Sequence, residues 1–289
     1  MTEHPNSIRA VRDRGIALLS AAGVPSPEVD ADLLIAHVLG ISRGEVQARA
    51  LTGAGMDVES SQQLGEALER RAAREPLQHI TGTAAFRMLE LAVGPGVFVP
   101  RPETEIVAQF GIDALLAYPG VPRAVDLGTG SGAIALALAT EVRHAEVAAV
   151  ENSPRAFVWA KQNFRAVAAD NARLVFIDLA DALPEWNATV SVVISNPPYI
   201  PLGAIPRDPE VHRYDPEAAL FGGEDGLDVV RQVSSSALRL LHPGGTLIIE
   251  HGEEQGAAIR ALLGADGWSA SATHQDLSRR DRVTTALRR

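Results

Sequence analysis

The sequence predicts an α/β fold in which a small helical domain is joined by a β-hairpin to a mostly parallel sheet covered on both faces. Three observations predict it. From about Glu103 to the C-terminus, short apolar runs alternate with segments of helical periodicity, the pattern of a parallel sheet packed between helices. Residues 1–82 carry helical periodicity alone. Between the two regions, residues 83–100 hold two short apolar runs around Gly94-Pro95-Gly96, a hairpin signature. The expected organisation is a helical domain over 1–82, a hairpin over 83–100 and a sheet domain over 101–289.

In chain order, Ile8, Val11, Ala17, Leu18 and Leu19 form one broken apolar face, ended by Gly23 and Pro25. Pro27 opens a second helix with Ala31, Leu34, Ile35 and Val38 on one side, stopped by Gly40. A third is expected from Ser60 to Arg74, with Leu64, Ala67, Leu68 and Ala72 on its apolar side and Pro76 beyond it. Ala124 to Leu127 reads as a buried strand, followed by the loop Gly128-Thr129-Gly130-Ser131-Gly132 and a helix from Ala133 to Thr140. Val147–Val150, Leu174–Ile177 and Val190–Ile194 read as further strands, with a helix from Pro154 to Ala168. Gly226 to Leu241 reads as helix, His242-Pro243-Gly244-Gly245 as a turn, and Thr246 to Glu250 as a fifth strand. Trp268–Thr273 and Val283–Leu287 complete the sheet.

Composition narrows the functions. A chain of 289 residues that is 46% hydrophobic and 21% charged can bury a substantial core. With no cysteine, disulfides, thiolate metal sites and cysteine nucleophiles are all excluded. The eight histidines show no paired ligand spacing, and no metal is expected. The opening Met1–Ser7 has no basic segment leading into an apolar run, and no stretch reaches the roughly 18–20 apolar residues of a membrane span. A soluble cytoplasmic protein without membrane contact is expected. The formal net charge of −10 argues against tight, sequence-blind binding to nucleic acid.

All the polar motifs fall at the carboxyl ends of strands, where ligands bind on such sheets. Glycines between a strand and a helix let a ligand lie against bare backbone near the helix N-terminus. Gly128, Gly130 and Ala133 also satisfy the dinucleotide fingerprint, but Asp126 at the strand end would repel a pyrophosphate. It would attract the ammonium group of S-adenosyl-L-methionine, directly or through water. Glu151 ends the second strand, where an acid accepts from the ribose hydroxyls. Asp178 ends the third, placed to accept from the adenine amino group. Three acids at three successive strand ends point to S-adenosyl-L-methionine as cofactor and S-adenosyl-L-homocysteine as product.

The most specific signal is Asn196-Pro197-Pro198-Tyr199, which closes the fourth strand. Its prolines forbid continuation of the strand and stiffen the loop. A stiff loop fixes the Asn196 side-chain oxygen and the Pro197 carbonyl as acceptors for the two hydrogens of a planar –NH2, with Tyr199 stacked on the flat group. The expected reaction is methylation of an amide or amino nitrogen, helped mostly by orientation and electrostatic positioning, with Asn196, Pro197 and Tyr199 as the catalytic residues.

These segments resemble the glutamine N5-methyltransferases that modify class 1 peptide chain release factors. The resemblance runs over nearly the whole length. It is carried by the helical N-terminal region, Phe98-Val-Pro-Arg-Pro-Glu-Thr-Glu105, Asp126-Leu-Gly-Thr-Gly-Ser-Gly-Ala-Ile-Ala135, Ser195-Asn-Pro-Pro-Tyr-Ile200, Tyr214-Asp-Pro-Glu-Ala-Ala-Leu220, Gly223-Glu-Asp-Gly-Leu227, Pro243-Gly-Gly245 and Glu250-His-Gly-Glu-Glu-Gln-Gly256. It implies a class I, Rossmann-like S-adenosylmethionine methyltransferase sheet. Gly128, Thr129, Gly130, Ser131, Gly132 and Glu151 would bind the cofactor, with Asp178 and Leu179 near the adenine. Asn196 to Tyr199 would hold the substrate amide, Asn196 bordering the cofactor as well, and Phe98 would pack on the glutamine chain. The N-terminal helices would dock the release factor, whose Gly-Gly-Gln glutamine would be the substrate. Three positions depart from the family pattern: Glu151 stands where many relatives have aspartate, and Leu179 where some carry an aromatic. The usual Asp-x-x-Gly-x-x-Arg reads Asp276-Leu-Ser-Arg-Arg-Asp-Arg282, without its glycine.

Other residues read more plainly. Arg101, Glu103 and Glu105 could form a polar wall of the site, although both acids also suit the start of the next helix. His251 reads as solvent-facing. Arg70, Arg71 and Arg74 read as a solvated helix face that could also meet an acidic partner. Two alternatives to glutamine methylation remain at this stage. One is a nucleic-acid amino-methyltransferase of the adenine N6 type, whose target base would be flipped out; the acidic total and the absence of a basic recognition helix oppose it. The other is a non-catalytic binder on the same fold, which fold alone never excludes.

Overall fold

A computed structural model describes residues 6–206 and 208–289. The first five residues, read above as lacking a leader, and Arg207 lie outside them. The chain divides into two units. The first spans residues 1–82 and 207–214, the second residues 83–206 and 215–289.

The first unit contains α1 (Ile8–Ala21), α2 (Pro27–Leu39), α3 (Arg43–Thr52), α4 (Val58–Ala72) and α5 (Leu77–Thr81). Ser7 caps α1 and Asp57 caps α4, so the latter begins two residues before the expected Ser60. α3 was not anticipated. Its start is capped by Ser42, whose Oγ accepts from the Glu45 amide at 3.2 Å, but Val46 is its only buried residue. Ile8, Leu19, Leu34, Ile35, Val46 and Leu64 form the core. α4 corrects the reading of its arginines. Arg71 is buried, donating to Asp30 at 2.7 Å and to Glu210 at 2.9 Å. Arg74 forks onto Glu210 with two bonds of 2.7 Å, and Arg70 forks onto Glu75. All three are held by carboxylates of their own unit.

The second unit opens with a hairpin of β1 (Thr83–Phe86) and β2 (Leu89–Ala92), in register Phe86↔Leu89. The turn is therefore at Arg87-Met88, not at Gly94-Pro95-Gly96. Glu105 accepts from the Arg87 amide at 2.9 Å, and the Arg87 guanidinium pairs with Glu141, which holds Arg87 in the left-handed region. At Gly94 a side chain would collide with the Trp159 ring, so that turn lays the chain against the helix that carries Trp159 rather than reversing a strand.

There follow α6 (Thr104–Ala117), β3 (Arg123–Leu127), α7 (Ala133–Glu141), β4 (Glu146–Glu151), α8 (Pro154–Val167), β5 (Ala172–Phe176), β6 (Val190–Ser195) and α9 (Pro209–Tyr214), which belongs to the first unit. The chain ends with α10 (Asp228–Leu240), β7 (Leu241–Glu250), α11 (Gly256–Ala265), β8 (Ser269–Gln275) and β9 (Asp281–Leu287). β7 takes in His242-Pro243-Gly244-Gly245, read as a turn, through a register irregularity against β6. The seven strands lie in the order β5-β4-β3-β6-β7-β9-β8. The first five of these are parallel, and β9 runs antiparallel to both its neighbours. Successive strand residues face opposite sides: Ala124, Val192, Ile194 and Ile248 join α6 and α7 in one core, and Val125, Leu127, Val193 and Ile249 join α10 and α11 in the other.

Strand order reverses between β3 and β6, the switch point at which such sheets open a crevice beyond their carboxyl ends. Ser195 Oγ donates to the Leu127 carbonyl at 2.7 Å and ties the two strand ends together.

Candidate active site

The glycine loop leaves β3 and enters α7 with Gly128 and Gly130 in the left-handed region, at φ 75° and 60°. A Cβ at either would meet no protein atom within 4 Å, so the outer side of the loop is open backbone. Its inner side is braced by Asp126, whose Oδ2 accepts from Thr129 Oγ1 at 2.6 Å and from the Ala135 amide at 3.2 Å. Asp126 Oδ1 is buried with no partner. Burial pushes this carboxyl up to about 7, against the pull of those two donors. The Ser131 carbonyl accepts from Asn163 at 2.9 Å, anchoring the loop on α8.

Glu151, at the end of β4, folds back under the same loop. Its Oε2 accepts from the Gly130 amide at 2.8 Å, and its Oε1 from the amides of Asn152 and Ser153 at 3.0 and 2.8 Å. Burial raises it above the ordinary glutamate range while the three amides draw it back. The extra methylene relative to aspartate lets one oxygen reach the loop, and Oε2 keeps capacity for a further donor. Asp178 is exposed. It accepts from the Ala180 amide and from Asn152 Nδ2, both at 3.0 Å, so it caps a 3₁₀ turn over Leu179–Asp181 and reaches the same rim through Asn152. Leu179 is half-buried against the core, with its carbonyl accepting from Ser236 at 3.0 Å.

The Asn196–Tyr199 loop leaves β6 beside the glycine loop. The segment Leu220–Gly226 clamps it from outside: the Ile200 amide donates to the Leu220 carbonyl and the Ile200 carbonyl accepts from the Gly222 amide, across the Ile200–Phe221 bridge. A Cβ at Gly222 would run into the Pro198 carbonyl, and one at Gly226 into the Tyr199 carbonyl. Gln255 donates to that same Tyr199 carbonyl at 2.9 Å. Pro197 is buried, while Asn196, Pro198 and Tyr199 are half-buried. Burial holds the Tyr199 phenol well above its usual range, so it stays neutral.

Behind Asn196 lie three groups that the sequence did not single out. Asn196 Nδ2 donates to Thr104 Oγ1 at 3.4 Å. Glu250, at the end of β7, is within hydrogen-bonding reach of both Thr104 and Asn196, and burial pushes it up to about 7. Arg282, from β9, is buried, donates to the His251 carbonyl at 3.1 Å and lowers the cost of charge on Glu250. The register of β7 and β9 and the packing of the first turn of α6 bring these together, so no local spacing signals them. The missing tail glycine is explained here: Arg279, at its position, takes the left-handed φ of 61°. Asp276 accepts from the Ser278 and Arg280 amides at 2.8 and 3.1 Å, so the loop closes without glycine.

Phe98 is half-buried, with the Arg101 guanidinium 5.0 Å from its ring centre. Arg101 in turn donates to the buried Asp215 at 2.7 Å. Burial raises Asp215 to about 6, opposed by Arg101. Of the expected polar wall, Arg101 thus braces Phe98, while Glu105 serves the hairpin turn. His251 is fully buried, not solvent-facing. Its two ring nitrogens engage the Gly252 carbonyl and Thr284 Oγ1, each at 2.8 Å, and burial lowers its pKa.

Among the described residues, no helix is long and apolar enough to cross a membrane.

Two family models match the chain: the PrmC N-terminal domain over residues 10–82 and the methyltransferase small domain over residues 90–204. A release factor glutamine methyltransferase from Streptomyces coelicolor is 48% identical over 271 residues, covering 93% of each chain. A 4-amino-L-phenylalanine/4-methylamino-L-phenylalanine methyltransferase from Streptomyces pristinaespiralis is 37% identical over 100% of this chain and 97% of its own. Among solved structures, a T. thermophilus 16S rRNA N2 G1207 methyltransferase in complex with AdoMet and guanosine aligns with TM-score 0.52 at 22% identity. It covers 72% of this chain and 50% of its own, and it supports the class I methyltransferase fold alone.

Proposed function

Because the chain belongs to the release factor glutamine methyltransferase family, we propose that it methylates the side-chain nitrogen, N5, of the Gly-Gly-Gln glutamine in class 1 peptide chain release factors. The observation that carries this reading is the Asn196 amide. Its nitrogen is engaged by Thr104 behind the loop, which leaves Oδ1 as an acceptor beside the glycine loop.

The residues present fit S-adenosyl-L-methionine. Asp126 offers one buried, unpartnered oxygen to an ammonium group, the open faces of Gly128 and Gly130 offer bare backbone, and Glu151 Oε2 retains room for a ribose hydroxyl. Thr129, Ser131 and Gly132 shape the loop, and Asp178 and Leu179 border the adenine side. When bound, this cofactor supplies an electrophilic methyl on a sulfonium. The chain does the rest by placement. Asn196 Oδ1 and the Pro197 carbonyl accept the two hydrogens of the glutamine –NH2 and turn its nitrogen lone pair toward the methyl. Tyr199, neutral throughout, and Phe98 flank the flat amide. No strong base is needed, since the proton passes to solvent water after the nitrogen has gained the methyl. Fixed acceptors aimed at a nitrogen that becomes positive lower the barrier because they need no reorganisation. In this reading the helical unit docks the release factor, and neither nucleic acid nor a membrane takes part.

The relative that acts on 4-amino-L-phenylalanine gives a second flat –NH2 a specific claim. The test is methyl transfer from labelled S-adenosylmethionine to release factor, 4-amino-L-phenylalanine and duplex DNA in separate reactions, with peptide mass mapping. One methyl on the Gly-Gly-Gln glutamine is expected. Label in the arylamine or in DNA alone would overturn the reading.

A further inference from the structure

An asparagine amide has one shape and two opposite polarities. If the Asn196 side chain flipped, it would present its own –NH2 to the substrate –NH2, two donors facing each other. Nothing in the Asn-Pro-Pro-Tyr backbone decides which way it points.

We propose that Thr104 and Glu250 are positioning residues that set the polarity of the Asn196 amide, holding its nitrogen inward so that its oxygen faces the substrate. This rests on the reading of Asn196 given above. Thr104 is the first residue of α6, buried, with its hydroxyl 3.4 Å from Asn196 Nδ2. Glu250 ends β7, one residue beyond the Ser195↔Ile249 pair, which places it beside Asn196 on the neighbouring strand. In its ionised form, which Arg282 favours, Glu250 can only accept. With the ionised carboxylate within reach, the Thr104 hydroxyl has an acceptor to which it can donate, and a hydroxyl so engaged is left to accept from Asn196. The order carboxylate, hydroxyl, amide nitrogen has a single direction, and it ends with Asn196 Oδ1 turned outward.

Groups from every neighbouring element bear on Glu250. Arg282 of β9 favours its charge, Glu103 ahead of α6 opposes it, and the neutral Tyr199 phenol lies nearby. Its Oε2 is buried with no partner, a desolvated acceptor that packing alone would not retain.

Thr104→Val keeps the shape and removes the hydroxyl; Thr104→Ser restores it. With release factor as substrate, Thr104→Val is expected to lower kcat by about 10- to 100-fold while the Kd for S-adenosylmethionine and the thermal midpoint stay near wild type. Thr104→Ser should return kcat to within about threefold. Glu250→Gln, whose amide can donate, should lower kcat similarly, and the double variant should be no worse than the poorer single one, since both act through one chain of bonds. Unchanged kcat in both single variants overturns the proposal. So does a fall in cofactor affinity and melting temperature in step with kcat that serine fails to rescue. Wild-type protein inactive on release factor would instead end the functional reading itself.

Discussion

Asn196 and Asp126 divide the work at the level of single residues. In the proposed reading Asn196 acts mainly on the substrate amide and only borders the cofactor, so Asn196→Ala should leave cofactor binding nearly intact. Turnover should fall by about 10²–10³, the loss typical of one preorganised polar partner; equal turnover would remove Asn196 from the reaction. In the proposed reading Asp126 holds the cofactor's ammonium group, and its pH behaviour has a definite sign. With its carboxyl raised to about 7 by burial, it is mostly protonated at pH 6. An ammonium ligand needs it ionised, so binding below pH 7 must expel a proton. Cofactor affinity should rise about fivefold from pH 6 to 7. Glu151 is also raised, so the comparison is with Asp126→Asn, in which the Asp126 share of that rise disappears. A titration calorimeter reads both the affinities and the proton released. The same slope in wild type and variant would assign the dependence to another group.

At the scale of elements, what could be read from sequence followed the strength of the local signal. The parallel strands and the helices after Pro27 and Pro154 announce themselves by runs of Val, Ile and Ala and by proline at the first helical turn. The hairpin did not: Gly94-Pro95-Gly96 is the stronger turn signature, but Arg87 is pinned by Glu105 and Glu141, and those tertiary contacts place the reversal at Arg87-Met88. The site divides in the same way. Asp126, Glu151 and Asn196 sit at strand ends that sequence can locate, whereas Glu250 and Arg282 meet through the β7-β9 register and Thr104 joins them from the start of α6. The tail loop yields a prediction of its own. Arg279 holds a left-handed φ of 61°, and among the described residues its side chain makes no hydrogen bond or ion pair. Left-handed backbone costs a non-glycine residue roughly 1–2 kcal/mol, and glycine returns part of that to unfolded-chain entropy. Arg279→Gly should therefore stabilise the fold by about 0.5–1 kcal/mol, seen as a higher denaturation midpoint with activity retained. A lower midpoint would mean that the arginine makes contacts that outweigh its strain.

At the scale of the whole molecule, chain order and structural unit part company after the Asn-Pro-Pro-Tyr loop. The chain leaves the sheet unit at Pro206, contributes α9 to the helical unit and returns at Asp215, which Arg101 anchors. No sequence pattern shows this, since six residues are too few for helical periodicity and the partners of α9 lie about 140 positions upstream. What holds α9 is Glu210. Its carboxylate takes three bonds from Arg71 and Arg74, in a setting where the three side chains are only 7–16% exposed. Burial alone would raise the Glu210 pKa, but the bonds from Arg74 and Arg71 win and hold it below the ordinary value. A depressed carboxyl contributes its stability above the unfolded pKa and loses it as pH falls through the folded one, so this clamp is fully closed at neutral pH and opens only in acid. Glu210→Ala leaves two arginines facing a gap from which water is largely excluded. Breaking one side of such a buried cluster costs about 3 kcal/mol. The loss should be local, because Asp30 still holds Arg71 and the core around Leu34 and Leu64 is untouched. Limited proteolysis near neutral pH should then cut the variant within residues 201–214 much faster than wild type, with the melting of the sheet unit little changed. Lowering the pH through the depressed Glu210 pKa should bring wild type toward the same cleavage rate, since the clamp opens there as well. Equal cleavage of the two proteins at neutral pH would mean that α9 is held by packing, and that Glu210 serves only to neutralise its arginines.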